Sequence, residues 1–192
     1  MEKEIDILTN IIQRRRSIFP ISYTAEEIPV VLIKQVLESA NYAPTHKLTE
    51  PWRFIVFRNE GKMKLGEELA RLYKETIPDH QFLQKKYDSI LEKAAQANCI
   101  ITLNAALHSD KIPEWEELAA LACAVQNMAL TAEALNIGAY WSSPGMIDAL
   151  GDFLNLEKNE KCFGLFYMGY HNEAPRAAKR GPIEDKVKWI ES

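Results

Sequence analysis

The spacing of apolar residues along the chain predicts several amphipathic helices. A first helix over residues 4–16 carries its aliphatic side chains on one face, at Ile5, Leu8, Ile11 and Ile12. Thr24 followed three residues later by Glu27 resembles a capping box. We therefore predict that a second helix spans about residues 25–41, ending before a proline.

Three short runs rich in apolar, β-branched and aromatic residues predict strands, namely RFIVFR at 53–58, CIITLNA at 99–105 and FGLFYMGY at 163–170. Two charged amphipathic helices lie between the first two runs, at about 61–75 and 80–97. Helices outnumber strands, and the order lacks the regular alternation of a doubly wound fold. This pattern favours an α+β fold with a modest, mostly antiparallel sheet flanked by helices.

The segment 115–136 is apolar on nearly all sides. It contains neither Pro nor Gly, and between Leu118 and Leu130 its only polar side chains are Gln126 and Asn127. Such a helix would be about 33 Å long and must be covered on every side. A small monomer covers so long a helix with difficulty, which indicates a partner subunit. A central helix in a monomeric core is the alternative.

Composition places the chain among ordinary globular proteins. It is 47% apolar with a net charge of −4, and without repeats or linkers it is expected to form a single domain over residues 1–192. The acidic balance gives no support to a nucleic-acid or membrane partner. The N-terminal segment has no signal-peptide pattern, and no apolar run reaches the ~18 residues of a membrane span. The chain has three widely spaced cysteines, at Cys99, Cys123 and Cys162. Because this odd number does not indicate a disulfide framework, we predict a reducing, cytoplasmic location.

Common catalytic motifs are absent from the sequence. It contains no G-x-G-x-x-G, Walker A, H-E-x-x-H or G-x-S-x-G pattern. The histidines are too dispersed to propose a metal site, since they stand at His46, His80, His108 and His171. An enzyme with this sequence is expected to depend on a bound cofactor for its chemistry.

An arginine run and a proline-bracketed loop are the first candidates for ligand binding. Residues 14–17 read R-R-R-S. The planar guanidinium groups of arginine and the hydroxyl of serine can donate hydrogen bonds to a phosphate dianion. A solvated helix end, favoured by the helix dipole, explains the same run. Pro44 and Pro51 bracket a loop that can present His46 and backbone groups to a ligand. A plain helix-to-strand connection is the alternative.

Two further segments complete the set of candidates. Residues 138–145 read G-A-Y-W-S-S-P-G, in which Gly138 is predicted to stop the long helix. The small, backbone-rich residues after it suit the close approach of a flat ligand. Residues 179–184 read K-R-G-P-I-E and supply a second basic element.

In their order and spacing, these elements resemble the FMN-dependent nitroreductase family, in its compact branch of under two hundred residues. The resemblance extends from about residue 10 to residue 187. The matching segments are Arg15–Ser17, Ala43–Phe54, Trp115–Gly138, Phe163–Tyr170 and Arg180–Glu184. No single motif is decisive, but the combination is specific.

The resemblance implies an intertwined homodimer with FMN at the interface. The implied FMN contacts are Arg15, Arg16, Ser17, Tyr42, Thr45, His46, Trp141, Ser142, Ser143 and Arg180. Among them, Arg15, Ser17 and Arg180 would hold the phosphate and ribityl chain, with Arg16 between them. Thr45 and His46 would reach the flavin held mainly by the other subunit, and the segment at Trp141 would line an edge of the isoalloxazine.

The activity that the resemblance implies is transfer of hydride from NAD(P)H through the flavin to a nitroaromatic, quinone or similar electrophilic acceptor, in ping-pong order. No protein nucleophile and no metal take part, because the chemistry occurs at flavin N5. One alternative is a flavin-dependent reductase or dehydrogenase of another small-molecule class. Others are a non-catalytic FMN-binding module and a helical interaction domain without a cofactor.

The chain departs from the family pattern at three places. Phe19 stands where a basic residue near flavin N1 is common. Leu48 and Glu50 stand where the pattern has Asn and Gln before Pro-Trp, and Ala178 stands at a frequent Lys position in the tail. These departures bear on the isoalloxazine contacts and on substrate preference.

Overall fold

A computed structural model describes residues 3–191 and contains a four-stranded antiparallel sheet with helices on both faces. In chain order the elements are α1 (Glu4–Arg14), α2 (Val30–Ala40), β1 (Trp52–Phe57), α3 (Glu60–Thr76), α4 (Gln84–Gln96), β2 (Cys99–Ala106), α5 (Glu114–Ala134), β3 (Gly138–Ser142), α6 (Gly151–Leu154) and β4 (Glu160–Gly169). The predicted α+β class with an antiparallel sheet is confirmed.

The strand order is β1-β2-β4-β3, so β2 and β4 are the central strands. Every residue of β2 is buried because helices cover both faces of the sheet. Ile101 packs into a core with α2 and α5, whereas its neighbour Ile100 packs into a second core with α3 and α4. Burial on both faces explains why the sequence of β2 is continuously apolar rather than alternating.

Two helices leave apolar residues uncovered. On α5, one side packs against α2 and the sheet, but Ala122 and Cys123 on the other side are exposed. Helix α1 has no buried residue, and Leu8 and Ile12 of its aliphatic face are each 49% exposed. The α5 helix is therefore only partly covered within one chain.

Helix α2 begins at Val30, so the prediction that it starts near residue 25 is wrong. Thr24 is held to the end of β4, since its backbone N–H donates to the Tyr170 carbonyl at 2.7 Å. The capping box with Glu27 does not form, and Pro29 precedes the first helical residue instead. A long-range backbone contact thus overrides the local capping signal.

The prediction that Gly138 stops the long helix is also wrong. Helix α5 ends at Ala134, and Asn136 adopts the left-handed conformation at φ 56° that ends it. Gly138 instead opens β3, a strand that the sequence analysis did not predict. A Cβ at Gly138 would lie 2.7 Å from the His171 ring, so the position requires a residue without a side chain.

No helix within residues 3–191 is long and apolar enough to cross a membrane. Over the same range, no three His, Cys, Asp or Glu side chains are grouped so that they could hold a metal ion. Cys99 and Cys162 are buried free thiols, and Cys123 is an exposed one.

Candidate functional site

A cavity of about 300 Å³, which we name the α5 cavity, lies between the end of α1, helix α5 and strand β3. Its lining residues are Arg15, Ser17, Ala122, Val125, Gln126, Ala129, Ala139, Tyr140, Trp141 and Phe166. Ser17 forms a parallel bridge with Ala139, and the Ile18 N–H donates to the Ala139 carbonyl at 3.2 Å. This backbone contact brings the arginine run next to β3.

The α5 wall of the cavity is formed by Ala122, Val125, Gln126 and Ala129, two of which have only a methyl side chain. Ala122, Gln126 and Ala129 follow each other at the i, i+4, i+7 spacing of one helix face. Two alanines on this face leave room for a planar group beside the helix. The same face remains open to a neighbouring molecule.

Trp141 is held in the wall of the α5 cavity by the strand next to it. Its indole N–H donates to the Phe163 carbonyl at 3.1 Å. The following residue, Gly164, has φ 156°, and a Cβ there would lie 1.9 Å from the indole nitrogen. The position of Trp141 thus depends on the absence of a side chain at residue 164.

Tyr140 connects the α5 cavity to Phe19. The Phe19 ring lies 4.8 Å from the Tyr140 ring, which stacks in turn on Tyr167 at 5.1 Å. Burial raises the pKa of the Tyr140 phenol. Its hydroxyl is buried. Phe19 itself does not line the α5 cavity.

A second, more open cavity of about 540 Å³ adjoins the first, and we name it the arginine cavity. It is lined by Ile12, Gln13, Arg15, Arg16, Ala178 and Arg180. Arg15 borders both cavities, so they meet at its side chain. The small Ala178 occupies the place where the family pattern often has lysine.

The three arginines of the run differ in what their guanidinium groups contact. Arg14 forms an ion pair with Glu133 at 3.0 Å. Arg16 donates to three backbone carbonyls, including that of Arg176. The guanidinium of Arg15 makes no hydrogen bond or ion pair with any residue in the range 3–191. It is therefore the member of the run that is available to an anion.

The proline-bracketed loop lies at the other end of α5. His46 Nδ1 pairs with Glu116 in the first turn of that helix, and the Thr45 hydroxyl contacts that of Thr49 at 3.1 Å. Tyr42 is 78% exposed. Tyr42, Thr45 and His46 line neither cavity of their own chain.

The loop has an unusual backbone. Lys47, Leu48 and Glu50 all have positive φ values, of 52°, 54° and 42°. Non-glycine residues adopt this conformation at a cost, and such residues cluster at functional sites. Leu48 is 82% exposed, so the loop presents an apolar side chain outward.

The structure thus brings together one half of the predicted site residues. Arg15, Ser17 and Trp141 share the α5 cavity, and Arg15, Arg16 and Arg180 share the arginine cavity. Ser142 is half-buried and Ser143 exposed, and neither lines a cavity with the others. Sequence reasoning missed the α5 wall, although the small residues of that helix were the signal that could have identified it.

The fold and the two cavities define an α+β protein in which an arginine-lined cavity adjoins the α5 cavity at an exposed helix face. The sequence profile described as the Nitroreductase family matches residues 12–170. The chain is therefore a member of the Nitroreductase family.

A similar curated protein agrees with this membership, and solved structures share the fold. The chain is 31% identical to "Putative NAD(P)H nitroreductase YfhC" of Bacillus subtilis, covering 94% of this chain and 92% of that protein. It is also similar in structure to a nitroreductase-like family protein of Bacillus cereus, with a TM-score of 0.82, 24% identity and 96% of both chains covered. The FMN-dependent nitroreductase NfnB of Mycobacterium smegmatis, solved with NADPH, has a TM-score of 0.78 at 16% identity, with 98% and 100% covered. At these identities the structural matches concern the fold.

Proposed function

We propose that this protein is an FMN-dependent oxidoreductase that oxidises NAD(P)H and reduces a nitroaromatic, quinone or similar electrophilic acceptor in ping-pong order. The observation that carries the proposal is the junction of the two cavities at Arg15, whose guanidinium makes no hydrogen bond or ion pair with residues 3–191. Family membership supports the same activity, as do relatives that are named NAD(P)H nitroreductases.

The donor groups fit the phosphate of FMN. Arg15 and Arg180 border one cavity with Arg16, and three like charges in proximity favour a bound dianion. A planar arginine fork binds phosphate through two parallel hydrogen bonds. Ser17, next to Arg15 in the α5 cavity, adds a neutral hydroxyl for the ribityl chain.

The α5 cavity would receive the ring system. Ala122 and Ala129 give it a flat apolar wall, and Trp141 closes one edge. When bound, FMN supplies the redox chemistry by accepting and passing on a hydride. The residues of this chain would bind and orient the cofactor and keep one face of it open to both substrates in turn.

We further propose a homodimer with FMN at the interface. The exposed side of α5 borders the α5 cavity, and the aliphatic face of α1 is likewise uncovered. A second copy seated there would cover both, and would bring its Thr45, His46 and Tyr42 towards this chain's flavin. The contact of His46 Nδ1 with the Glu116 carboxylate would hold that loop in place.

We expect the purified protein to be yellow, with an absorbance band near ~450 nm and about one FMN per chain. It should consume NAD(P)H when a nitroaromatic or quinone is added. Bound flavin without turnover would instead indicate a non-catalytic FMN-binding module. A colourless protein that does not take up added FMN would contradict the proposal.

Light scattering of the FMN-loaded protein should give the mass of a dimer, because the α5 face and the flavin are both buried only in that assembly. A monomer that keeps its flavin tightly bound would refute the interfacial site.

The substitution Phe19→Lys should raise the flavin reduction potential. A cation about 4 Å from the reduced flavin is worth up to roughly 4 kcal/mol at an effective dielectric of ~20. Residue 19 contacts the α5 cavity only through Tyr140, so we expect it to supply a fraction of that effect. A third of that effect corresponds to about 30 mV for two electrons. Ile21→Lys is the matched control. It adds the same charge two residues further along the chain, at a position that is 82% exposed to solvent. Spectroelectrochemistry giving equal potentials for wild type and Phe19→Lys would place residue 19 outside the reach of the flavin.

A further inference from the structure

The side chain of Arg16 is bound to the protein backbone on two sides. Its Nη1 donates to the carbonyls of Gln13 and Arg15, both at 2.7 Å, at the C-terminal end of α1. Its Nε donates to the carbonyl of Arg176 at 3.0 Å, in the segment that follows β4. Three of its five N–H donors are therefore used within the protein, and only Nη2 remains.

Arg176 returns the contact. Its Nη2 donates to the carbonyl of Ser17, so the two arginines bind each other's backbone segments. The adjacent Glu173 adds to the attachment by accepting a hydrogen bond from the Ser22 hydroxyl. We name the reciprocal contacts of Arg16 and Arg176 the arginine clasp.

We call residues 170–191, which follow β4, the tail. Within the described part of the chain, the arginine clasp is the last hydrogen-bonded attachment of this tail to the rest of the protein. Beyond Arg176, the hydrogen bonds made by tail residues up to 191 stay within the tail, as in the donation from Lys186 to the Gly181 carbonyl. Arg180 lies four residues past the clasp and borders the arginine cavity. Its position opposite Arg15 thus depends on where the clasp holds the chain.

We infer that Arg16 is a positioning residue rather than a phosphate ligand: with Arg176 it fixes the tail so that Arg180 converges with Arg15 on a bound phosphate. This inference rests on the proposed function, because it gives the arginine cavity an FMN phosphate to bind. This positioning role requires the planar guanidinium group of arginine, whose N–H donors point in several fixed directions. A lysine at residue 16 would keep the charge but could not reach the carbonyls of α1 and of the tail together.

The test compares FMN affinity with backbone hydrogen exchange of residues 172–182, measured on the holoenzyme at saturating FMN. Arg16→Lys should weaken FMN binding about tenfold and speed exchange in this segment several-fold. Arg176→Ala should do the same from the other side of the clasp. Arg15→Ala should weaken FMN binding with tail exchange unchanged. Arg14→Ala is the matched control and should change neither, since Arg14 pairs with Glu133.

The outcomes distinguish the positioning role of Arg16 from the existence of the phosphate site itself. Weaker FMN binding in Arg16→Lys with unchanged tail exchange would make Arg16 a direct ligand and overturn the inference. Faster tail exchange with unchanged FMN affinity would overturn it as well, because the clasp would then position nothing. If Arg15→Ala also left FMN affinity unchanged, the proposed phosphate site itself would fail. A loss confined to Arg15→Ala would leave that site standing and reject the clasp alone.

Discussion

Replacing Gly164 with alanine is expected to destabilise the protein by about 3–5 kcal/mol and to abolish tight FMN binding. At φ 156° the backbone of residue 164 has a conformation that side-chain-bearing residues rarely adopt. The added Cβ would also lie 1.9 Å from the Trp141 indole nitrogen and 2.9 Å from the Ser142 carbonyl oxygen. Both neighbours would have to move, and one of them is the wall of the α5 cavity.

The paired residues on both sides of Gly164 limit how far the backbone can move to relieve this clash, since Cys162 pairs with Asn104 and Leu165 with Thr102. Residue 164 lies in central strand β4, opposite the point in β2 where the register shifts between Thr102 and Asn104. A displaced indole would lose its hydrogen bond to the Phe163 carbonyl as well as its place beside the ring system. For a chain of this length, the expected destabilisation of about 3–5 kcal/mol by Gly164→Ala corresponds to a decrease in Tm of roughly 10 °C. Thermal unfolding with and without FMN measures it.

Gly151→Ala is the matched control for this substitution. Gly151 has helical φ/ψ, and a Cβ there would meet nothing within 4 Å. Stability should therefore stay unchanged or rise by up to about 1 kcal/mol. A Gly164→Ala protein as stable as this control would show that the bulge in β4 adapts. Adding Trp141→Ala to Gly164→Ala should recover part of the lost stability, because the clash with the indole disappears while the strained backbone remains.

The central strands and the long helices were predictable because their signals are strong and local. The runs that became β2 and β4 are continuously apolar, which burial on both faces of the sheet requires. The helix predicted at 115–136 matches α5 to within two residues at each end. Strand β3 was missed because its five residues begin with Gly-Ala, and pairing with β4 rather than local preference makes them a strand.

The candidate site was predictable as a set of segments but not as a set of contacts. The sequence identifies a run of three arginines, yet their different roles arise from Glu133 and Arg176, which lie more than a hundred residues away. The same holds for the start of α2, where the Tyr170 carbonyl binds the residue expected to cap it. Contacts at such separations leave no periodic signal in the sequence.

Arg15→Ala is expected to weaken FMN binding ten- to a hundredfold. A charge-assisted hydrogen bond to phosphate is worth roughly 1.5–3 kcal/mol. Arg15 is the member of the run whose guanidinium has no partner among residues 3–191, so it can form this bond. Arg15→Lys should give an intermediate loss, since it keeps the charge without the fork. The affinities can be measured by titrating flavin-free protein and following the quenching of flavin fluorescence.

Riboflavin shows which part of the cofactor Arg15 contacts, because it carries the same rings and ribityl chain without the phosphate. If Arg15 binds the phosphate in the arginine cavity, Arg15→Ala should reduce FMN affinity and leave riboflavin affinity nearly unchanged. Arg15 also borders the α5 cavity, so a contact with the rings is the competing geometry. In that case the two ligands would lose affinity by the same factor, and the phosphate would have to be held by Arg180 and its neighbours in the tail.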